Sequence, residues 1–559
     1  MAKCRQCGIS FEITQSDLDF YDKVSPVYNN KKYQVPPPTL CPDCRQQRRI
    51  AIRNERMLYS RKCDLSGKDI LSCYSADKPY KIYDSNEWYS DKWDALKYGK
   101  DFDFNRPFFE QFAELQNEVP RIALHVINNE NSDYVNLSGY NKNCYLIFAA
   151  EYNEECLYGT QVIKSQNCVD TLNCLESNLC YEVVDCEKCH TLFFGQNCSN
   201  CNDGYFLYDC KGCSECIMCT NLRKKQYCYK NRQLNKDEYS NIKRSIKEKI
   251  QNGDIKSLLD EFTTFKQNSI HRAAEIINCE NVSGDYLANS KNLTGCFDLS
   301  YGEDCRYVYT GFENKDMADI CHTTEAEMGY EGTSFGYRAY NCIFTHGSWT
   351  SKNSHYCDIV KSCNHMFGCV CMNKREYCIL NKQYEKQEYE ELVPKIIEHM
   401  QSTGEWGEFF PVELSPFAYN ETIAQDYFPL TKKEVLERGW KWRDEKDEMP
   451  DVEKIISADR LPDSIDDIPD DVLNWAIKCE ITQRPFKIVK QELEFYRRMK
   501  LPVPHLHPDE RHKRRMAQRN PRKLWKRKCE KCGVEIETTY APDRPEKVYC
   551  EDCYLKEVY

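Results

Sequence analysis

The sequence predicts a mixed, multidomain fold, a duplicated cysteine-rich β-solenoid core flanked by small treble-clef-like modules at both termini. Three observations predict it. Each end carries two CxxC pairs, a twelve-residue cysteine period runs through the middle, and the two ends resemble one another in sequence.

The N-terminal pairs are Cys4/Cys7 and Cys41/Cys44, and the C-terminal pairs are Cys529/Cys532 and Cys550/Cys553. Each CxxC bends the backbone so that both sulfurs point at one centre, and two such knuckles build a tetrahedral zinc–thiolate site. Two structural zinc ions are therefore expected, with four thiolates each and no open position for substrate.

The segment Cys41–Cys63 aligns with His507–Cys529 without a gap. In the same register Cys63, Ser66, Asp84 and Glu87 fall where the C-terminal module has its four cysteines; His507 and Glu510 fall on Cys41 and Cys44, and at a slightly different offset Cys479 and Thr482 fall on Cys4 and Cys7. Each end is thus one intact and one degenerate module. Ser and Thr are poor zinc ligands, so the degenerate pair is expected to fold on hydrophobic and hydrogen-bonded contacts.

CRQCGISFEIT, then DLDFYDK, then PPPTLCPDCRQQRR, spanning roughly residues 1–50, resembles the bacterial zinc-binding domain family of treble-clef or zinc-ribbon-like type. The loop before the second knuckle is longer than that family's pattern. The resemblance implies zinc and a fold, not an activity. The rest of the chain resembles uncharacterised cysteine-rich bacterial proteins.

In a treble-clef arrangement the second knuckle opens a helix, here expected over residues 42–59. It would carry Arg45, Arg48 and Arg49, and its C-terminal copy Arg511, Arg514, Arg515 and Arg519. Clustered arginines on a zinc module can neutralise phosphates and bind nucleic acid, the ribosome included. The other reading is a solvated basic face paired with carboxylates.

From Asn143 the chain divides into twelves, with Cys144, Cys156, Cys168, Cys180 and Cys216 at the second position. Cys174, Cys186, Cys198 and Cys210 share the eighth, and Cys189, Cys201 and Cys213 the eleventh. A unit that short cannot bury its own apolar side, so units must stack. Insect antifreeze solenoids resemble this in period and cysteine positions only. Three readings of the sulfurs stand open: buried free thiols, metal held by rungs such as Cys186/Cys189 with Cys198/Cys201 or by Cys213/Cys216/Cys219, and disulfide or redox chemistry. The segment from Cys219 recurs from Cys369, and that from Ile127 recurs from Ile277, so the repeat region is itself duplicated. Charged amphipathic helices, about 236–265 and 384–400, close each copy. The second copy also carries Cys321, His322, His346, His355, Cys357, Cys363 and His365 in no recognised ligand spacing.

The expected domains are a zinc module (1–62), a degenerate module with an aromatic arm (63–118), the first solenoid and its helix (119–270) and the second copy (271–403). An aromatic, proline-rich arm with an acidic linker (404–472), a degenerate module with a basic helix (473–528) and a zinc module (529–559) complete the chain. The 559 residues include 35 cysteines and carry a net charge of −11. No stretch approaches the ~18 apolar residues of a membrane helix, and no secretory signal opens the chain. The expectation is a cytoplasmic protein whose thiols stay reduced. No phosphate loop, GxGxxG turn, HExxH or GxSxG is present. The sequence therefore points to a zinc-binding scaffold with a macromolecular partner rather than an enzyme. Its alternatives are a nucleic-acid- or ribosome-binding protein and a metal or redox enzyme using the repeat cysteines.

Overall fold

The computed structural model describes residues 1–336, 339–444 and 450–559. The fold is mixed α/β and multidomain, with two large parallel-rich sheets. One has eight strands, from Thr160–Ile163 to Arg232–Gln233, and the other has fourteen, from Ile276–Ile277 to Lys382–Gln383. Parallel neighbours lie twelve positions apart: Val169 pairs with Tyr181, Cys174 with Cys186 and Tyr205 with Ile217. In the second sheet the register slips by one residue near Val282/Gly284 and regains it between Tyr330 and Ile343. Each sheet ends in an antiparallel hairpin, and no sheet among the described residues closes into a barrel.

The backbone explains the period. From Asn128 to Lys230 nearly every third residue has φ near +50°, as at Asn143, Leu146, Ala149 and Tyr152. A non-glycine residue there costs about 1–2 kcal/mol, least for Asn and Asp. Ladder hydrogen bonds fix these corners, as from Asn143 N to Glu130 O and from Glu155 N to Lys142 O. The residue after each corner points inward, and those positions form one buried cluster with Cys144, Ile147, Ala150, Cys156 and Val162 among its members.

That interior is narrow and lined with carbonyl oxygens, which explains its residues. Cys156 Sγ donates to Glu154 O and Ser165 O at 3.5 and 3.3 Å. Ser351 Oγ makes the same pair of bonds to Trp349 O and Val360 O. Asn153 Nδ2 reaches Asn141 Oδ1, twelve residues away, and Val162 O. Cysteine is here a small, dry side chain with a weak donor. None of the 35 cysteines is joined in a disulfide.

Aromatic residues of the sheet strands are covered by helices and arms. The single helix expected near 236–265 is two, Lys236–Gln251 and Ile255–Gln267, separated around Gly253 with φ +81°. The second copy is followed by Lys386–Thr403, as expected. The helix expected over 42–59 stops at Ile50, where Asn54 turns the chain by bonding Met57 N, Met57 O and Cys73 O. Both aromatic arms lie against the sheets: Trp406, Phe409 and Phe410 join Phe108, Phe112 and Tyr356 in one core. The acidic stretch expected to be a linker is folded over part of its length. Residues 445–449 lie outside the described set, but from Lys454 the chain folds. Lys454–Ser457 pairs with Trp475–Lys478, and Ile456, Leu461, Ile465, Ile468 and Val472 are buried. Its acids alternate with an apolar set that packs, and burial outweighs their mutual repulsion.

Candidate metal centres

In the N-terminal module the strands Ala2–Lys3 and Ser10–Phe11 pair antiparallel and hold the first knuckle. Cys4 N bonds Ile9 O and Gly8 N bonds Cys4 O, a turn that requires φ +74° at Gly8. Cys41 caps the helix Pro42–Ile50, which puts Cys44 in its first turn. The sulfurs of Cys4, Cys7, Cys41 and Cys44 lie within 4.8 Å of one another, Cys7 and Cys41 at 3.7 Å. Thiolates at 2.3 Å around a tetrahedral zinc sit about 3.8 Å apart, so the set fits that ion. Hydrogen bonding from the Cys44 thiol is the main pull that lowers Cys41 to about 5, and Cys44 is pushed far up in return. Four sulfurs this close cannot all ionise without a cation, and a bound metal supplies one.

The C-terminal module repeats this. Gly533 N bonds Cys529 O, Cys529 N bonds Val534 O, and Cys550 caps the helix Glu551–Val558. Cys529, Cys532, Cys550 and Cys553 form the second group, with Cys532 and Cys550 sulfurs at 3.7 Å. Burial raises Cys529, but N–H groups of Cys550, Cys532 and Lys531 outweigh it and bring it to about 6. These two groups are the metal candidates among the described residues.

The degenerate modules keep the knuckle but engage its residues otherwise. Cys63 Sγ accepts from Ser66 N and Asp84 N at 3.5 and 3.3 Å, while Asp84 caps Asn86 and Glu87 pairs with Lys92. Gln483 stands with φ +60° in place of the knuckle glycine, His507 accepts from Asp509 N, and Glu510 pairs with Lys513. Three histidines of the second copy have polar neighbours. His346 Nδ1 meets Asp358 at 2.9 Å, His322 lies 3.5 Å from Glu55, and His355 meets Tyr28.

The arginines proposed from sequence for phosphates have another use. Arg45 and Arg49 both reach Asp319, at 2.8 and 3.0 Å, and Arg48 holds Glu331 at 2.6 Å. On the other half Arg511 and Arg515 both reach Asp170, at 2.5 and 2.7 Å, and Arg514 pairs with Glu182. Arg519 bridges Asp185 and Asp298. Arg45, Arg49, Arg511 and Arg515 are at most 2% exposed, which leaves them no charge to present to a phosphate backbone. Of the seven candidates, Arg514 alone keeps an appreciably open side chain, at 42%. The sequence reading missed these six carboxylates, four of which form two matched pairs. Their signal was present: Asp170 and Asp319, like Glu182 and Glu331, occupy matching places in the duplicated repeat, all at left-handed corners.

The docking is therefore crossed. The N-terminal module sits on the second sheet, and the helix Pro508–Met516 sits on the first. The matching pair Arg56 and Arg522 reaches the other way, Arg56 donating to Thr160 of the first sheet at 2.9 Å and Arg522 to Thr310 of the second at 2.7 Å.

No family model matches the chain, and no curated protein matches it. Among solved structures it is similar to a chain from Desulfovibrio desulfuricans G20 described as a "putative acetyltransferase", at 8% identity and a TM-score of 0.11. That likeness covers 51% of this chain and 82% of the other and is too weak to carry an argument. No described helix is long and apolar enough to cross a membrane.

Proposed function

We propose that the protein is a zinc-binding scaffold, with structural zinc at each four-cysteine group and twelve-residue rungs stacked as two β-solenoids. The observation that carries it is the closed sulfur geometry of both groups. All four ligand positions are filled by cysteine, which suits a structural ion and leaves none for substrate. The residues that would hold the ions are Cys4, Cys7, Cys41 and Cys44, and Cys529, Cys532, Cys550 and Cys553. Bound there, zinc would neutralise the thiolates and fix each second knuckle at its helix. The crossed arginine docking supports a scaffold more than a nucleic-acid reader, because it uses the basic helices internally. The thiol-to-carbonyl bonds inside the rungs support buried thiols over redox chemistry.

Elemental analysis of protein purified under reducing conditions, with thiol counting under denaturation, tests this. The expected result is two zinc ions per chain, no iron, and the repeat cysteines free. Iron, or metal well above two equivalents, would overturn it and move the chemistry into the repeat.

A further inference from the structure

The two basic helices make equivalent contacts to equivalent carboxylates, yet different forces hold them in place. Behind the Pro508–Met516 helix lies a substantial core, in which Ile477, Cys479, Phe486, Ile488, Leu493, Phe495, Tyr496, Leu501 and Val503 pack with rung residues of the first sheet. Three strands, Lys454–Ser457, Trp475–Lys478 and Pro485–Phe486, back it. That module has lost its metal ligands and stands without them.

The N-terminal module has matching buried residues, with Phe20, Tyr21, Val24, Tyr33 and Val35 in the core against the second sheet, but its knuckle stands apart from that core, whereas Cys479, Phe486 and Ile488 belong to theirs. The knuckle's own buried cluster consists of Phe11, Leu40 and three of the ligand cysteines. So small a core does not hold a knuckle closed unaided, and metal binding supplies the missing folding energy. Two of the four ligands, Cys41 and Cys44, sit at the start of the helix, and Arg45 follows directly. The ion that fixes those sulfurs also fixes the direction from which Arg45, Arg48 and Arg49 enter the second sheet.

We infer that the N-terminal arginine clamp on Asp319 and Glu331 is gated by zinc, whereas the matching clamp on Asp170 and Glu182 is independent of it. The inference rests on the zinc reading above. When the ion leaves, the cysteines take up protons and the knuckle opens. The helix then loses its fixed start, and Asp319 and Glu331 lose the guanidinium partners that permit their burial. Water must enter to solvate them. Phe20 and Tyr21 still pack on Tyr330, so the module loosens rather than departs. The second repeat thus has a metal-responsive latch and the first a permanent one.

Hydrogen exchange on the full-length chain, with and without a zinc chelator and with elemental analysis of each sample, tests this. Removal of zinc is expected to speed exchange at least tenfold in Ala318–Thr324 and Tyr330–Gly332 and to leave Val169–Leu175 unchanged. Cys7→Ser, at the exposed ligand of the N-terminal site, should give the same pattern in the untreated chain without disturbing the C-terminal site. Arg45→Ala with Arg49→Ala should speed the same strands while zinc content holds. Metal-free protein with unchanged exchange in Ala318–Thr324 overturns the gating and leaves the zinc reading standing. Equal acceleration in Val169–Leu175 also overturns it, since the clamps would then not differ. A chain that neither holds nor takes up metal defeats both readings, and elemental analysis identifies that case.

Discussion

Arg49 and Asp319 lie 3.0 Å apart with no exposed side-chain surface on either, although 270 positions separate them in the chain. Asp319 also receives Arg45, so one carboxylate serves two guanidiniums, and burial must be offset by that geometry. Arg515 and Asp170, with Arg511, repeat it on the opposite sheet.

Removing Asp319 should therefore cost more than its hydrogen bonds alone. Asp319→Ala leaves two buried positive charges, and a loss of about 3–5 kcal/mol is expected in denaturant unfolding. Adding Arg45→Met and Arg49→Met to Asp319→Leu should recover much of it, because apolar groups of similar volume need no counter-charge. A single Asp319→Ala variant as stable as the parent would show that these pairs do not set the docking.

The eleventh position of the rung holds Ser165 and Ser177 and then Cys189 and Cys201, and these donors reach the same kind of carbonyl. Ser177 Oγ bonds Leu175 O at 3.1 Å, and Cys189 Sγ bonds Glu187 O at 3.4 Å. Cys189→Ser is expected to change stability by no more than about 1 kcal/mol, the scale of one neutral hydrogen bond. Cys189→Leu should cost about 1–3 kcal/mol from overpacking. Chemical denaturation of both variants under reducing conditions reads the difference.

The fold should weaken as acid protonates its buried imidazoles. Burial lowers His271 to about 4 and His355 to about 3, against about 6.5 in an unfolded chain. A depressed pKa means that the unfolded state takes up the proton first. The stability is present above about 6.5 and is lost as pH falls toward the folded values. Melting temperature should drop steadily between pH 6.5 and 4, and His271→Gln should flatten part of that slope. A melting temperature constant over this window would mean that these rings are not buried in solution.

Glu405 closes a helix from a distance. Its carboxylate accepts from Phe108 N and Phe109 N at 2.8 and 2.7 Å, at the start of Phe108–Glu118. A negative charge at a helix N-terminus is favoured by the peptide dipoles. Glu405→Gln should destabilise by about 0.5–2 kcal/mol, and adding salt should narrow the gap. Thermal unfolding at two ionic strengths measures both.

How much of this was legible beforehand follows from distance along the chain. Cys4, Cys7, Cys41 and Cys44 could be paired from spacing because a knuckle is a local turn, set by a glycine and a short hairpin. The period of Cys144, Cys156 and Cys168 was visible because each rung repeats one local environment, a corner and an inward residue. The amphipathic helix after the second copy was legible for the same reason. The break near Gly253 and the early stop at Ile50 were not, since each depends on what the next residues find to bond.

By itself the sequence determined two four-cysteine sites, a twelve-residue parallel register and the likeness of the two ends. Only the tertiary structure decided where the arginines go. An Arg-rich helix reads alike whether it faces phosphate, solvent or a buried carboxylate. The choice was made by Asp319, Glu331, Asp170 and Glu182, which approach only after both sheets have formed. Burial then converts a basic surface motif into an internal lock, because an ion pair removed from water tolerates little departure from its one geometry.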